Sequence, residues 1–134
     1  MLLPVEITMK RHKSHWTILW IFHIKPANGR IFRRVYGPGG DWTRLFSTDP
    51  NNIGTELLHN AASPRCYVTV DIWASRAAYH NFKKRHRNEF AALDARCEAL
   101  MVREIKIGEF SSAGGVFLLS SERRVGKATK RCRA

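Results

Sequence analysis

Four stretches of the chain have the hydrophobic pattern of β-strands. Residues 16–24 are apolar on both faces, which is typical of a strand covered on two sides. Residues 53–59 and 65–73 predict two more strands, joined by a short turn-forming segment as in an antiparallel hairpin. Residues 101–110 alternate imperfectly and predict a last strand.

Helical spacing of apolar residues separates these strands. The apolar positions between residues 31 and 36 predict a short first helix that ends at the glycine-rich break 37–40. Asp41 is expected to cap one further turn. Ser75 is a suitable N-cap for a long second helix over residues 75–99, because neither glycine nor proline interrupts that segment.

The predicted order is βαββαβ, which is an α+β, ferredoxin-like arrangement. In it, four strands form an antiparallel sheet and both helices pack on one face. The first and third strands are apolar on both sides, so the second face also needs cover. A homodimer that packs sheet on sheet is therefore expected.

The charge distribution locates the domain within the 134 residues. The net charge is +12, and seven of these charges lie in residues 1–15 and 111–134. We therefore predict a domain over 16–110, with a flexible basic N-terminal arm and a mobile basic C-terminal tail. The tail is expected to make only weak, salt-dependent contacts with polyanions.

Several other classes of protein are disfavoured. No apolar run is long enough to span a bilayer or to serve as a signal peptide, so a cytoplasmic location is expected. Three widely spaced cysteines favour neither a disulfide framework nor a thiolate metal site. The six histidines show no metal-ligand spacing, and no cofactor motif is present. We therefore predict neither a metal nor a cofactor.

The second helix carries a candidate catalytic residue. On a helical projection His86 falls inside the apolar stripe, where its imidazole could act as a general base. The alternative is a structural histidine that bonds a backbone carbonyl or a tyrosine hydroxyl. Trp73 and Tyr79 are either core aromatics or donors to a substrate oxyanion. Tyr36 and Trp42, beside the glycine break, are candidates for a lid.

Four segments of the chain resemble the antibiotic biosynthesis monooxygenase family over about residues 16–110. They are ILWIFHIKP (18–26), YGPGGDW (36–42), GTELL (54–58) and YVTVDIWAS (67–75). The resemblance implies a dimeric α/β barrel with a pocket in each protomer between sheet and helices. It also implies that Trp73 matches a tryptophan that lines this pocket in relatives. We expect the substrate pocket to be lined by Trp20, Tyr36, Trp42, Phe82 and Phe90.

The resemblance leaves the chemistry open between three hypotheses. The first is cofactor-independent oxygenation of a small aromatic or polyketide-like substrate, with His86 as base and Trp73 and Tyr79 as donors. The second is a non-catalytic dimer that binds a small hydrophobic ligand or acts as an interaction module. A polar, perturbed site in the pocket favours the enzyme, and a pocket filled by Trp73, Phe82 and Phe90 favours the module. The third is haem degradation, which is disfavoured because Trp20 and Ala92 stand where haem-degrading relatives have asparagine and histidine.

Overall fold

The computed structural model describes residues 7–11 and 14–120, and the side chains of 14–115. The chain divides into two compact units. One contains the antiparallel strands β1 (Ile7–Arg11) and β6 (Val116–Ser120), and the other spans Ser14–Ser112. The two strands fall in segments for which the charge pattern predicts an arm and a tail. Residues 1–6 and 121–134 lie outside the described residues, so the mobility of the termini stays a prediction.

The larger unit confirms the α+β, ferredoxin-like fold. Its elements are β2 (Trp16–Ile24), α1 (Gly29–Tyr36), α2 (Asp41–Phe46), β3 (Asn52–His59), β4 (Cys66–Trp73), α3 (Arg76–Arg85), α4 (Arg87–Glu98) and β5 (Met101–Ser111). The four strands form one antiparallel sheet in the order β3-β4-β2-β5. Ser75 caps α3 as predicted, because its Oγ accepts a hydrogen bond of 3.0 Å from the Ala78 amide.

The core lies between one face of this sheet and the helices. Alternate residues of β2 and β4 point into it, and most of them are buried. They pack against an unusually aromatic set of helical side chains, and Trp73, Phe32, Phe82 and Ile18 are fully enclosed. Aromatic packing of this kind buries much apolar area with few residues, which suits a small domain.

The turn between α1 and α2 explains the glycine-rich break. A Cβ atom at Gly40 would lie 2.3 Å from the Arg34 carbonyl oxygen, and one at Gly37 would lie 2.4 Å from that of Arg33. Gly39 has a φ of 72°, in the left-handed region that glycine tolerates best. The turn therefore packs directly against the end of α1 and fixes where α2 begins.

Two helix predictions need correction. Asp41 does not cap α2; Gly40 is the N-cap residue, and no side chain closes the cap. The long second helix is divided at His86, whose φ of −111° and ψ of 31° are not helical. The His86 ring packs 4.6 Å from that of Phe82, and its Nδ1 lies 3.1 Å from Glu89 Oε1. These local contacts are not encoded in the periodicity of apolar residues.

The other face of the sheet is apolar, as the pattern predicts. Leu19 and Ile21 of β2 lie opposite Val70 and Val68 of β4, on the face turned away from the helices. Partly exposed apolar residues extend this face at both edges of the sheet. They include Leu58, Ile105, Ile107 and Phe110, each at least 40% exposed.

A carboxylate side chain adds to the backbone pairing at the end of β5. Glu109 accepts a hydrogen bond of 2.8 Å from Trp16 Nε1 and lies 3.2 Å from His80 Nε2, and Lys106 also pairs with it. Burial opposes its charge, but the bonds from Lys106 and Trp16 outweigh burial and lower the pKa of Glu109 to about 2. Glu109 thus links β5, β2 and α3.

Candidate functional site

A cavity of about 200 Å³ lies on the helix-facing side of the sheet. Most of its wall is aromatic, and three carboxyl groups and one ammonium group complete the charged part of the lining. The lining residues are Trp20, Phe22, Tyr36, Trp42, Phe46, Thr55, Thr69, Asp71, Tyr79, Lys83, Phe90, Asp94 and Glu104. An apolar pocket with a few convergent polar groups is the usual form of a small-molecule site.

The aromatic wall is held by ring-to-ring packing across several elements. Trp42 of α2 lies edge-on to Phe90 of α4, with ring centroids 4.9 Å apart. Tyr36, at the end of α1, lies 5.0 Å from Phe22 of β2 and 6.1 Å from Trp42. The glycine turn between α1 and α2 places Tyr36 and Trp42 side by side in this wall. Both side chains line the cavity, and their role as a lid stays a prediction.

Asp71 is the buried carboxyl of the cavity. It lies on β4, opposite Ile18 of β2 and Thr55 of β3, and only 8% of its surface is exposed. Burial raises the pKa of Asp71 to about 7, because the charged form loses its hydration. The Thr55 hydroxyl favours the charged form but closes no well-formed hydrogen bond, so it offsets burial only in part. Asp71 therefore exchanges a proton near neutral pH.

The remaining charged groups lie on α3, α4 and β5. Burial raises the pKa of both Asp94 and Glu104, and each is raised further by neighbouring carboxylates. Lys83 supplies the positive charge. Its Nζ lies 5.3 Å from the centre of the Tyr79 ring and 5.2 Å from that of Phe90.

Two tyrosine hydroxyls line the cavity as neutral groups. Burial raises the pKa of Tyr36 and of Tyr79 far above the ordinary value, and nearby negative charge adds to both effects. Both side chains therefore stay protonated at neutral pH. A protonated phenol can donate a hydrogen bond to an oxygen atom of a bound ligand.

The structure brings together five of the eight side chains singled out in the sequence. Those that line the cavity are Trp20, Tyr36, Trp42, Tyr79 and Phe90. Trp73 and Phe82 are instead fully buried and pack on each other, with ring centroids 4.9 Å apart. The Nε1 of Trp73 finds no hydrogen-bond partner among the described residues.

His86 does not line the cavity. It lies at the junction of α3 and α4, where 26% of its side chain is exposed, and its Nδ1 faces Glu89. The apolar stripe predicts its inward side correctly, since its ring packs on Phe82. Because the helix is divided at this residue, His86 lies between α3 and α4.

The sequence reasoning missed Asp71, although the strand contains a signal for it. Residues 67, 69, 71 and 73 of β4 alternate with apolar residues of the other face, and all four are buried. An acid in the middle of such a series must either find a partner or line a cavity. That signal follows from the period of the strand alone.

The described part of the chain contains no cluster of three or more side chains suited to a metal ion. Within the same residues, no helix is long and apolar enough to cross a membrane.

Comparison with solved structures identifies the class of fold. SnoaB, a cofactor-independent oxygenase from Streptomyces nogalater solved as a mutant, matches with a TM-score of 0.59 and 18% identity, over 74% of this chain and 93% of its own. A Nitrosomonas europaea protein described provisionally as an antibiotic biosynthesis monooxygenase matches with a TM-score of 0.54 and 10% identity. The match covers 87% of this chain and 93% of that protein. A Bordetella bronchiseptica protein with the same description matches with a TM-score of 0.54 and 14% identity. The match covers 81% of this chain and 96% of that protein.

The chain thus has the fold of antibiotic biosynthesis monooxygenase-like proteins, in agreement with the resemblance in its sequence. At such low identities the similarity establishes the fold alone. No protein-family profile matches the chain, and no curated protein matches its sequence.

Proposed function

We propose that this protein is a cofactor-independent monooxygenase that acts on a small aromatic or polyketide-like substrate. The observation that best supports this proposal is the buried carboxyl group of Asp71 inside the aromatic cavity. A filled pocket would favour a non-catalytic binding module, whereas a perturbed ionisable group in an open pocket favours an enzyme. The fold similarity to SnoaB agrees with this choice.

In the proposed reaction, Asp71 takes the place that the sequence suggests for His86. The Asp71 carboxylate removes a proton from an activated CH2 group, as in an anthrone, and leaves a carbanion delocalised over the rings. The carbanion reduces dioxygen and forms a carbon–oxygen bond, and the resulting peroxide regains the proton from Asp71. Loss of the second C–H proton then breaks the O–O bond, leaving a carbonyl group on the substrate and releasing water.

The cavity supplies two further contributions to this chemistry. The Tyr79 hydroxyl, kept protonated by burial, donates a hydrogen bond to the oxygen of the substrate on which negative charge develops. The aromatic wall excludes water, so the carbanion meets dioxygen before it is reprotonated by solvent. Trp73 is fully buried and does not line the cavity, so it contributes through the packing of its ring, 5.6 Å from that of Tyr79.

Oxygen consumption by the purified, metal-stripped protein with a panel of anthrones and hydroquinones tests the proposal. The rate is expected to rise with pH through about 7, as Asp71 loses its proton among Tyr79, Lys83, Asp94 and Glu104. Asp71→Asn is expected to lower the rate by about 10²–10⁴-fold, which is the usual contribution of a general base.

His86→Ala is the control, because His86 lies outside the cavity, and it is expected to change the rate little. A rate that collapses in His86→Ala but survives in Asp71→Asn would return the role of base to His86. Ligand binding in the cavity without any oxygen uptake would instead identify the protein as a binding module.

We also propose that the protein is a homodimer that packs through the open face of the sheet. Apolar residues of all four strands lie on this face, and several remain partly exposed in the single chain. A contiguous exposed apolar face of this kind usually marks a protein interface.

A further inference from the structure

The charged groups that line the cavity are mostly negative. Asp71, Asp94 and Glu104 come from three different elements, and they face a single ammonium group, that of Lys83. Asp71 is more than nine-tenths buried, and the Thr55 hydroxyl beside it closes no well-formed hydrogen bond within the described residues. Buried carboxylates with too few counter-ions are unfavourable, so the charge of this lining favours a ligand that brings positive charge.

The aromatic rings are also arranged for a cation. A cation is attracted to the face of an aromatic ring when it lies within about 6 Å of the ring centre. The ammonium of Lys83 meets this condition with both Tyr79 and Phe90. The protein's own cation thus lies over two of the rings that line the cavity.

Positive charge on the ligand would also serve the reaction proposed above. Transfer of the substrate's proton to Asp71 moves the negative charge from this carboxylate onto the substrate, close to Asp94 and Glu104. Lys83 compensates only part of it, and a cationic group on the substrate would compensate the rest. The basic side chains of Lys84 and Arg87 lie on the outer groove beside the cavity, where solvent screens them.

We propose, on the basis of that function, that the substrate is a small aromatic compound bearing a positively charged amine or quaternary ammonium group. The aromatic body occupies the ring-lined cavity. The cationic group displaces the Lys83 ammonium from its place over Tyr79 and Phe90, near Asp94 and Glu104. Asp71 then faces the acidic proton of the substrate.

Calorimetric binding of three matched probes at pH 8 tests this assignment. They are 3-hydroxyphenyltrimethylammonium, its uncharged isostere 3-tert-butylphenol, and the anionic 3-hydroxybenzoate. We expect the cation to bind at least tenfold more tightly than the isostere and the benzoate to bind most weakly. The double substitution Asp94→Asn with Glu104→Gln is expected to bring the cation and its isostere to within about twofold of each other.

Two further variants sharpen the test. Glu89→Gln is the matched control, because Glu89 is an exposed carboxyl of α4 that does not line the cavity, and it should leave the preference unchanged. Lys83→Met removes the competing internal cation and should strengthen cation binding. Thermal melting confirms that each variant is folded.

The outcomes separate this inference from the proposed function. If the neutral isostere binds as tightly as the cation, the charge assignment is wrong and an uncharged aromatic substrate remains. If the benzoate binds best, the cavity selects anions and the assignment is again wrong. If none of the probes binds, the aromatic-substrate proposal fails together with this inference.

Discussion

Asp71 stands at a position of β4 where packing alone would favour an apolar side chain. Its neighbours on the same face, Thr69 and Trp73, are buried, and the strand period identifies all three as facing the helices. The sequence can therefore reveal that an acid is buried. It cannot reveal that the acid opens onto a cavity, because this depends on Trp42 and Phe90, which are brought together only by the tertiary fold.

The charge of Asp71 should cost stability in a pH-dependent way. Its ordinary pKa is 3.8 and its pKa in the folded protein is about 7, so the folded state holds a proton that the unfolded state releases between these values. The free energy of unfolding should therefore fall as pH rises from about 4 to 7, by up to a few kcal/mol.

Asp71→Asn removes this charge, so the variant should be more stable than the wild type at pH 8 and similar to it at pH 4. Urea denaturation at the two pH values measures the difference. An Asn variant that is equally destabilised at both would show that Asp71 is held by a structural hydrogen bond instead.

At the level of elements, the strands were easier to predict than the joints between them. The apolar periods locate β2 through β5 to within a residue or two, because each strand has a buried face. The division of the helix at His86 and the displacement of β5 against β2 between Leu19 and Trp20 leave no mark in the periodicity of apolar residues. The side-chain contacts of Glu109 likewise follow from no hydrophobic pattern.

Glu109 should stabilise the junction of β5, β2 and α3. The pKa of Glu109 is about 2 in the folded protein, below its ordinary value of 4.5. Its contribution to the free energy of unfolding is therefore fully present above pH 4.5 and is lost as pH falls through about 2. Glu109→Gln should lower the free energy of unfolding by about 1–2 kcal/mol at pH 7. This is the range of a charge-assisted hydrogen bond, reduced because the glutamine amide can replace part of it. The deficit should shrink towards pH 2.

Chemical denaturation at both pH values checks this expectation, with the exposed Glu89→Gln as the reference change. A deficit for Glu109→Gln that does not depend on pH would contradict an ionic role for this side chain.

At the level of the whole molecule, the two apolar faces of β2 and β4 carried the fold prediction. One face is now seen to pack on the helices, and the other remains open within the unit Ser14–Ser112. The periodicity of apolar residues could predict both buried faces, because a face is apolar whether it packs on the same chain or on another one. It could not predict the partner, since a single chain contains no information about a second copy.

Two equally exposed isoleucines provide a matched test of the proposed dimer. Ile105 lies on the open face of the sheet and Ile31 lies on α1, and each is 40% exposed. Ile105→Glu should convert a dimer to a monomer because it places charge in an apolar interface, whereas Ile31→Glu should leave the dimer intact. Light scattering at micromolar concentration measures the mass. A wild-type protein of monomer mass would contradict the proposal at once.

The most direct test of the central claim is a carbon-detected NMR titration of the Asp71 carboxyl, assigned by its absence in Asp71→Asn. A titration midpoint near pH 7 is expected in the free protein, with a chemical-shift response to an added phenol that fits the cavity. That result would show a desolvated, ligand-accessible base. A midpoint near pH 4 with no response to the phenol would contradict the assignment of this cavity as the functional site.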